Sequence, residues 1–237
     1  MTAGKVAGRT DAGRKVSGRK VSGSPGDAVK VVERRLGRPP DTDSADTRRV
    51  ILRIARETFS VSGYEMTTNR DIATRAGVTP GALYHYFGSK LDLYLAVHEA
   101  TQELVYSRFT EAIVGRGTFV EQFDAILDVA HELNKTDPSV ARFLGAVRVD
   151  TRRHPEMRAS VAPRSRQRET FFADMVELGV STGEIAAERR PIVFAFILTV
   201  LVGLTDAVSD DPKVQSQAIA GIKDAVPGLL APGVRRR

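Results

Sequence analysis

Helix-start and helix-stop signals follow one another so closely in one part of the chain that only very short helices fit there. Thr68 stands three residues before Asp71, the spacing at which a Thr hydroxyl accepts a hydrogen bond from a free backbone N–H at a helix start. Gly77 can adopt positive φ and end that helix, and Thr79 can cap the next one. This pattern predicts two short helices joined by a tight turn, over 69–76 and 80–87.

Longer helices are predicted on both sides of this pair. Apolar residues recur at helical spacing over 47–62, and Ser89 repeats the capping spacing with Asp92 to begin a fourth helix. The inner face of the short pair is predicted from its apolar residues, which are Ile72, Ala73, Ala76, Leu83 and Phe87. The residues left to face outward are Thr68, Arg70, Thr79, Gly81, Tyr84, His85 and Lys90.

These outward residues suit contact with a DNA groove. A short helix that stands clear of its domain fits the major groove, where its first turn meets base edges and neighbouring helix starts meet phosphates. Gly81 lets the backbone approach closely, Tyr84 offers a hydroxyl donor, and Lys90 adds a charge at a helix N-terminus. Each also has a structural interpretation: Tyr84 suits packing between helices, and His85 and Lys90 suit plain exposure to solvent.

The segment from Thr67 to Lys90 resembles the DNA-binding signature of the TetR/AcrR family of bacterial repressors. It contains Ile-Ala, Ala-Gly-Val, Pro-Gly, Leu-Tyr, Phe and Ser-Lys at the family's spacing, and the resemblance extends over 47 to about 100. Tyr86 departs from the pattern, since His is common at that position. The resemblance implies DNA contacts at Thr68, Arg70, Thr79, Pro80, Gly81, Tyr84, His85 and Lys90.

The positive charge of the chain is concentrated at its start. Residues 1–40 contain ten Lys or Arg and three Asp or Glu, a net charge of +7, whereas the whole chain carries +6. This Gly- and Ser-rich segment lacks the apolar residues to fold alone, and a flexible polycation releases counterions from DNA phosphates. A solubilising tail without a partner, or a segment for an acidic membrane surface, are the alternative interpretations.

One part of the arm is more specific. Arg34–Pro40 resembles the Arg-Gly-Arg-Pro core of AT-hook peptides, although Leu36 stands where the first core Arg would be. Arg38 is therefore a candidate minor-groove contact.

The rest of the chain is predicted to be helical, which makes the fold all-α with about nine helices. A long fourth helix follows Ser89, and punctuation by Gly, Pro and Asp separates further helices over 118–134, 137–149, 156–180, 187–208 and 211–225. We predict four regions: a disordered basic arm over 1–44, a helix-turn-helix domain over 45–92, a helical effector-binding and dimerisation domain over 93–228, and a basic tail over 229–237.

The run from Ile192 to Leu204 is apolar on every face. Its thirteen residues are too few to span a bilayer, so this helix must be enclosed by its own chain and a partner. The family resemblance implies that the last two helices pair with those of a second copy in a four-helix bundle. The candidate dimer-interface residues are Phe194, Ile197, Leu201 and Leu204. A two-fold dimer presents two recognition helices about one DNA turn apart and predicts an inverted-repeat operator.

The resemblance also implies a small-molecule effector pocket between the DNA-binding head and the dimer interface. Candidates are the apolar and aromatic residues at helical spacing in that region, with His131 as a polar group among them: Phe123, Leu127, His131, Phe143, Val147, Phe171 and Met175, beside Phe119 and Phe172. These residues predict a largely apolar effector. Ordinary core packing is the alternative for each of them.

The sequence contains no residue pattern that is typical of an enzyme or of a metal site. The sequence has no Cys and four His, which removes thiolate nucleophiles and Cys-ligated metals, and we predict no metal and no cofactor. Gly179–Gly183 matches the G-x-S-x-G string of hydrolases, but a helical pattern precedes it and every His lies upstream. The first residues lack an apolar stretch of signal-peptide length, so we expect a cytoplasmic protein.

Two functions remain from the sequence. The first is a transcriptional regulator, a repressor that a small molecule releases from an inverted-repeat operator. The alternative is a helical protein that coats DNA through its basic arm without sequence preference. The two differ in salt dependence and in resistance to competing random DNA.

Overall fold

The computed structural model describes residues 40–230, apart from the side chains of 40–43 and 163–167. The proposed minor-groove contact of Arg38, the basic arm up to residue 39 and the tail beyond residue 230 lie outside the described residues.

The described part of the chain consists of nine α-helices and one short 3-10 turn, which confirms the all-α prediction. The helices are α1 (Pro40–Met66), α2 (Asn69–Ala76), α3 (Pro80–Tyr86), α4 (Lys90–Ile113), α5 (Phe119–Thr136), α6 (Ser139–Arg153), α7 (Pro155–Ser181), α8 (Arg190–Asp206) and α9 (Pro212–Leu230). The 3-10 turn, Ala187–Arg189, precedes α8. None of these helices is both long enough and apolar enough to cross a membrane.

The short helices begin and end where local chemistry predicts. The hydroxyls of Thr68, Thr79 and Ser89 accept from the backbone N–H three residues later at 3.1, 3.1 and 3.0 Å. Gly77 ends α2 in the left-handed region, at φ 69°. These contacts involve only neighbouring residues, which is why the sequence predicts them within one residue.

Longer helices depart from their predicted ends. Helix α1 starts at Pro40 rather than 47 and resumes after a break at Gly63, where φ is 69°. Helix α6 runs four residues beyond its predicted end and places Asp150 in a buried position. Helix α9 continues through Pro227, because buried Val226 and Leu230 hold its last turn against the chain.

Two hydrophobic cores share helices α4 and α6. The head core joins α1, α2 and α3 to the first half of α4, and it includes Phe143 and Val147 of α6. The body core joins the second half of α4 to α5, α7, α8 and α9. Because α6 contributes Phe143 to one core and Val140 to the other, it connects the head to the body.

Polar contacts reinforce this connection. Asp150 on α6 accepts hydrogen bonds from the Tyr64 backbone N–H at 3.1 Å and from the Tyr94 hydroxyl at 2.8 Å. Burial, followed by the bond to Asp150, raises the pKa of Tyr94, so its hydroxyl stays protonated and donates. The Arg56 guanidinium bridges α1 to Asp137 and Ser139 at the start of α6. The head is therefore anchored to α6 at several points.

Candidate functional site

The helix-turn-helix presents a set of exposed side chains. Every predicted DNA-contact residue in the described chain is exposed except Lys90, which is half-buried: Thr68, Arg70, Thr79, Pro80, Gly81, Tyr84 and His85. The Tyr84 side chain is 52% exposed, although it is large and partly apolar. An exposed tyrosine in the second half of α3 is available to a partner outside the chain.

The opposite faces of the short helices are anchored in the head core. Ile72, Ala73 and Leu83 are completely buried, and Phe87 is nearly so. The predicted inner residue Ala76 is half-buried and packs against the edge of the same core. A Cβ added at Gly81 would come no closer than 4.0 Å to the nearest atom, the Thr79 hydroxyl oxygen. The backbone of α3 at Gly81 is therefore open to close approach from outside.

The two threonines at the helix starts have a positioning role. Thr68 Oγ1 also donates to Asp71 at 2.6 Å, and Thr79 Oγ1 accepts from the Ala82 N–H. On the same helix as Asp71, Arg75 hydrogen-bonds Thr58 and forms an ion pair with Glu57 on α1, whereas the side chain of Arg70 is exposed. The caps at Thr68 and Thr79, together with the contacts of Arg75 with α1, thus hold α2 and α3 in place and leave Arg70 at the surface.

Lys90 has contacts within the domain that the sequence does not reveal. Its Nζ donates to the backbone carbonyls of Tyr64 at 2.9 Å, Glu65 at 3.3 Å and Thr67 at 3.1 Å. The ammonium also lies 4.2 Å from the centre of the Tyr64 ring. These bonds use all three donors of the ammonium at the C-terminal end of α1. Lys90 therefore fixes the turn between α1 and α2, and a phosphate would have to compete with these carbonyls.

Replacing Lys90 with Met should lower the free energy of unfolding by about 1–3 kcal/mol, because three carbonyls at the end of α1 lose a charged donor. Chemical denaturation followed by circular dichroism measures this loss. The salt dependence of DNA binding should keep its slope. A slope lower by about one unit with unchanged stability would instead support the phosphate contact that the sequence predicts.

A cavity of about 370 Å³ lies between helices α4 to α9. Its apolar wall includes Val105, Phe109, Leu133, Leu144 and Leu198, and its polar residues include His98, Gln102, Asn134, Arg148, Arg168 and Gln215. This volume falls within the range of small-molecule sites in proteins.

The cavity is lined by a different set of residues from the predicted pocket, of which only Val147 is on its wall. Phe143 packs in the head core. Phe123, Leu127, Phe171 and Met175 pack in the body core, as do Phe119 and Phe172. His131 pairs through Nδ1 with Gln215 Oε1 at 3.0 Å. Apolar periodicity finds core residues, but it does not distinguish a packed core from the wall of a cavity.

Helices α8 and α9 pack together and leave a joint surface exposed. We name it the α8–α9 outer face, and its exposed residues recur at helical spacing: Ile192, Ala195, Thr199 and Val202 on α8, and Val214, Gln217, Gly221 and Ala225 on α9. Gly203, Gly221 and Gly228 have open space where a Cβ would stand. Most of the residues that define this face are therefore small or apolar.

The candidate interface residues of α8 are not among the exposed residues of this face. Ile197 and Leu204 are buried within the chain, and Phe194 and Leu201 are half-buried against the body core. Leu201 and Leu204 also line the cavity. Because α8 is apolar on every face, its sequence does not indicate which face packs inward. The small residues of the outer face are the sequence signal that could have located the exposed side of α8.

The sequence of this chain is similar to those of bacterial transcriptional regulators. The model of bacterial regulatory proteins of the tetR family matches residues 51–97. The HTH-type transcriptional regulator UidR of Escherichia coli K12 is 26% identical over 191 residues, covering 80% of this chain and 95% of UidR. TtgW of Pseudomonas putida, named as an uncharacterized HTH-type transcriptional regulator, is 31% identical over 96 residues, covering 40% of this chain and 72% of TtgW.

A solved structure shares the fold beyond the helix-turn-helix. The transcriptional regulator FadR from Bacillus subtilis, in complex with stearoyl-CoA, superposes with a TM-score of 0.66 at 20% identity, covering 79% of this chain and 99% of FadR. The fold of head and body together is therefore that of a known regulator. With its capped helix-turn-helix, its matching sequence model and these relatives, the chain belongs to the TetR family of bacterial transcriptional regulators.

Proposed function

We propose that this DNA-binding regulator is a cytoplasmic homodimeric repressor that leaves an inverted-repeat operator when a small molecule binds. The observation that carries the proposal is the exposed outer face of the α2–α3 pair, whose inner residues pack in the head core. In helix-turn-helix proteins the second helix reads base edges in the major groove.

The exposed residues suggest a division of roles on DNA. Arg70 and Tyr84 are suited to phosphates and base edges. Pro80 and Gly81 let the start of α3 come close to the groove, and the exposed His85 in its last turn is suited to contact the DNA beside it. Thr68 and Thr79 hold the helix starts. The hydroxyl of Thr79, which accepts from the Ala82 N–H, is suited to donate its proton to a phosphate, whereas that of Thr68 is donated to Asp71. We propose a boundary between DNA-binding and effector domains near residue 92, within α4.

The α8–α9 outer face supports the dimer. A stripe of exposed Ile, Val, Ala and Gly on two adjacent helices is suited to packing against its own copy about a two-fold axis. Four helices then form the interface, and each chain contributes one recognition helix. The two helices would read half-sites about 34 Å apart, which is one turn of DNA.

The position of the cavity supports control by a small molecule. Val147 lines the cavity and also packs in the head core, so α6 contacts both sites. A ligand that favours another position of α6 would move Phe143 and Asp150, which hold the head. The FadR structure of the same fold is a complex with stearoyl-CoA, which supports the proposal that a small molecule controls this chain.

Fluorescence anisotropy of the full chain on duplexes tiling the DNA beside its gene tests the proposal. Binding to one inverted repeat should resist a large excess of random duplex. The alternative, a protein that coats DNA through its basic arm, predicts binding that random duplex removes and that follows counterion release alone.

On the tightest of these duplexes, Arg70→Ala should weaken binding about tenfold, and Tyr84→Phe about threefold to tenfold, because each loses a hydrogen bond to DNA. Arg108→Ala provides a matched control, since Arg108 is exposed on α4 about 27 Å along the helix from its first residue. Its affinity should stay within about twofold of the wild-type value. Equal losses of affinity in all three variants would contradict DNA contact through α2 and α3.

A further inference from the structure

Most polar groups of the cavity wall already have partners within the chain. The guanidinium of Arg148 bonds both carboxylate oxygens of Asp206 and donates to the Thr205 hydroxyl at 2.6 Å. Gln215 donates to the Leu204 carbonyl at 3.1 Å, and its Oε1 is bonded to His131 and Asn134. These side chains stabilise the packing of α5, α6, α8 and α9, so their hydrogen-bonding capacity is largely used.

Arg168 on α7 differs from these groups. It lines the cavity, and within the described part of the chain its buried Nε has no hydrogen-bond partner. Tyr106 lines the same cavity. Burial raises the pKa of its phenol, while the positive charge of Arg168 acts in the opposite direction. A neutral phenol does not compensate a cation. A half-buried guanidinium of this kind gains most from a carboxylate or a phosphate, which accept two parallel bonds from it.

The rest of the wall is suited to hydrocarbon. Val105, Phe109, Leu144 and Leu198 line the cavity, and its volume of about 370 Å³ accommodates a small molecule. A shallow basic pocket shares Arg148 and Thr151 with the cavity and adds Arg152 and Arg158. Its charge raises the local concentration of anions beside the cavity.

We infer that the effector is an amphipathic anion, whose apolar body lies in the cavity and whose carboxylate or phosphate binds Arg168. The inference rests on the proposed function, in which this cavity is the effector site. The sequence predicts a largely apolar effector. Because the cation of Arg168 is part of the cavity wall, we add an anionic group to that prediction.

Isothermal titration calorimetry with three ten-carbon probes tests the inference on the full chain. Decanoate and decyl phosphate carry the two anionic groups, decanol carries none, and each is used below its aggregation concentration. Arg168→Gln keeps a polar side chain without the charge. Arg108→Gln is the matched control, since Arg108 is exposed on α4 and does not line the cavity.

We expect wild type to bind at least one anionic probe about tenfold more tightly than decanol, a preference typical of a charge-assisted hydrogen bond. The probe that binds more tightly, decanoate or decyl phosphate, shows whether the site prefers a carboxylate or a phosphate. Arg168→Gln should reduce the preference below about twofold, and Arg108→Gln should retain it. Circular dichroism and melting temperature check that both variants are folded. If Arg168→Gln does not fold, Arg168→Lys is used instead. Because Lys keeps the positive charge, this variant should still bind the anions more tightly than decanol, but by a smaller ratio than wild type.

Three results would overturn the inference: decanol binding as tightly as the anions, a preference that survives in folded Arg168→Gln, or binding of none of the probes. The operator assay is run separately without probes. Loss of specific DNA binding there refutes the proposed function, whereas intact DNA binding with any of the three results refutes only this assignment of the ligand.

Discussion

Phe143→Ala should lower the free energy of unfolding by about 3–5 kcal/mol, the usual cost of removing a fully buried aromatic side chain. The ring has no exposed surface, and its centre lies 5.3 Å from that of Tyr94 and 6.4 Å from that of Phe59. It thereby joins α6 to α4 and α1. Urea denaturation at fixed protein concentration measures the effect, since a dimer's apparent stability depends on concentration.

Phe143→Leu is the control, because it retains most of the apolar volume and should cost less than half as much. The comparison also decides between two roles for this residue. Truncating a residue in the wall of an effector pocket lowers the free energy of unfolding only a little. Truncating a residue in the head core lowers it by several kcal/mol. A loss below about 1 kcal/mol for Phe143→Ala would contradict its place in the core.

Ala195→Glu should weaken dimerisation about 100-fold or more, because a two-fold axis brings two like charges into an apolar interface. Ala195 is exposed on the α8–α9 outer face. Size-exclusion chromatography with light scattering should then give the mass of one chain, 25.8 kDa. Operator affinity should fall in parallel, since a single chain contacts only one half-site.

Ala173→Glu is the matched control for this prediction. Ala173 is exposed on α7, outside the α8–α9 outer face, so its charge should remain in solvent and leave the dimer intact. A dimeric Ala195→Glu protein with wild-type operator affinity would show that another surface joins the two chains.

The sequence predicts the helix-turn-helix well because its signals are local. Thr68, Thr79 and Ser89 each act on a backbone group three residues away, and Gly77 needs only its own conformational freedom. The inner face of α2 and α3 follows from apolar spacing for the same reason. No contact with the rest of the chain is needed to fix any of these features.

Features that depend on distant contacts could not be predicted in this way. The three carbonyls around Lys90 come from the end of α1, which a turn brings to the start of α4. Phe143 and Met175 share the same apolar character, yet one packs in the head core and the other in the body core. The wall of the cavity comes from six helices, so no single periodic pattern describes it.

In vitro selection of duplexes from a random library, with the full chain as the binding protein, tests the central claim most directly. A dimeric regulator that reads DNA through α3 predicts enrichment of one inverted repeat, with half-sites about one turn of DNA apart. Enrichment should disappear in Ala195→Glu. A library that shows no enriched motif, or one enriched only in A·T content, would contradict sequence-specific recognition by the dimer and favour a DNA-coating arm.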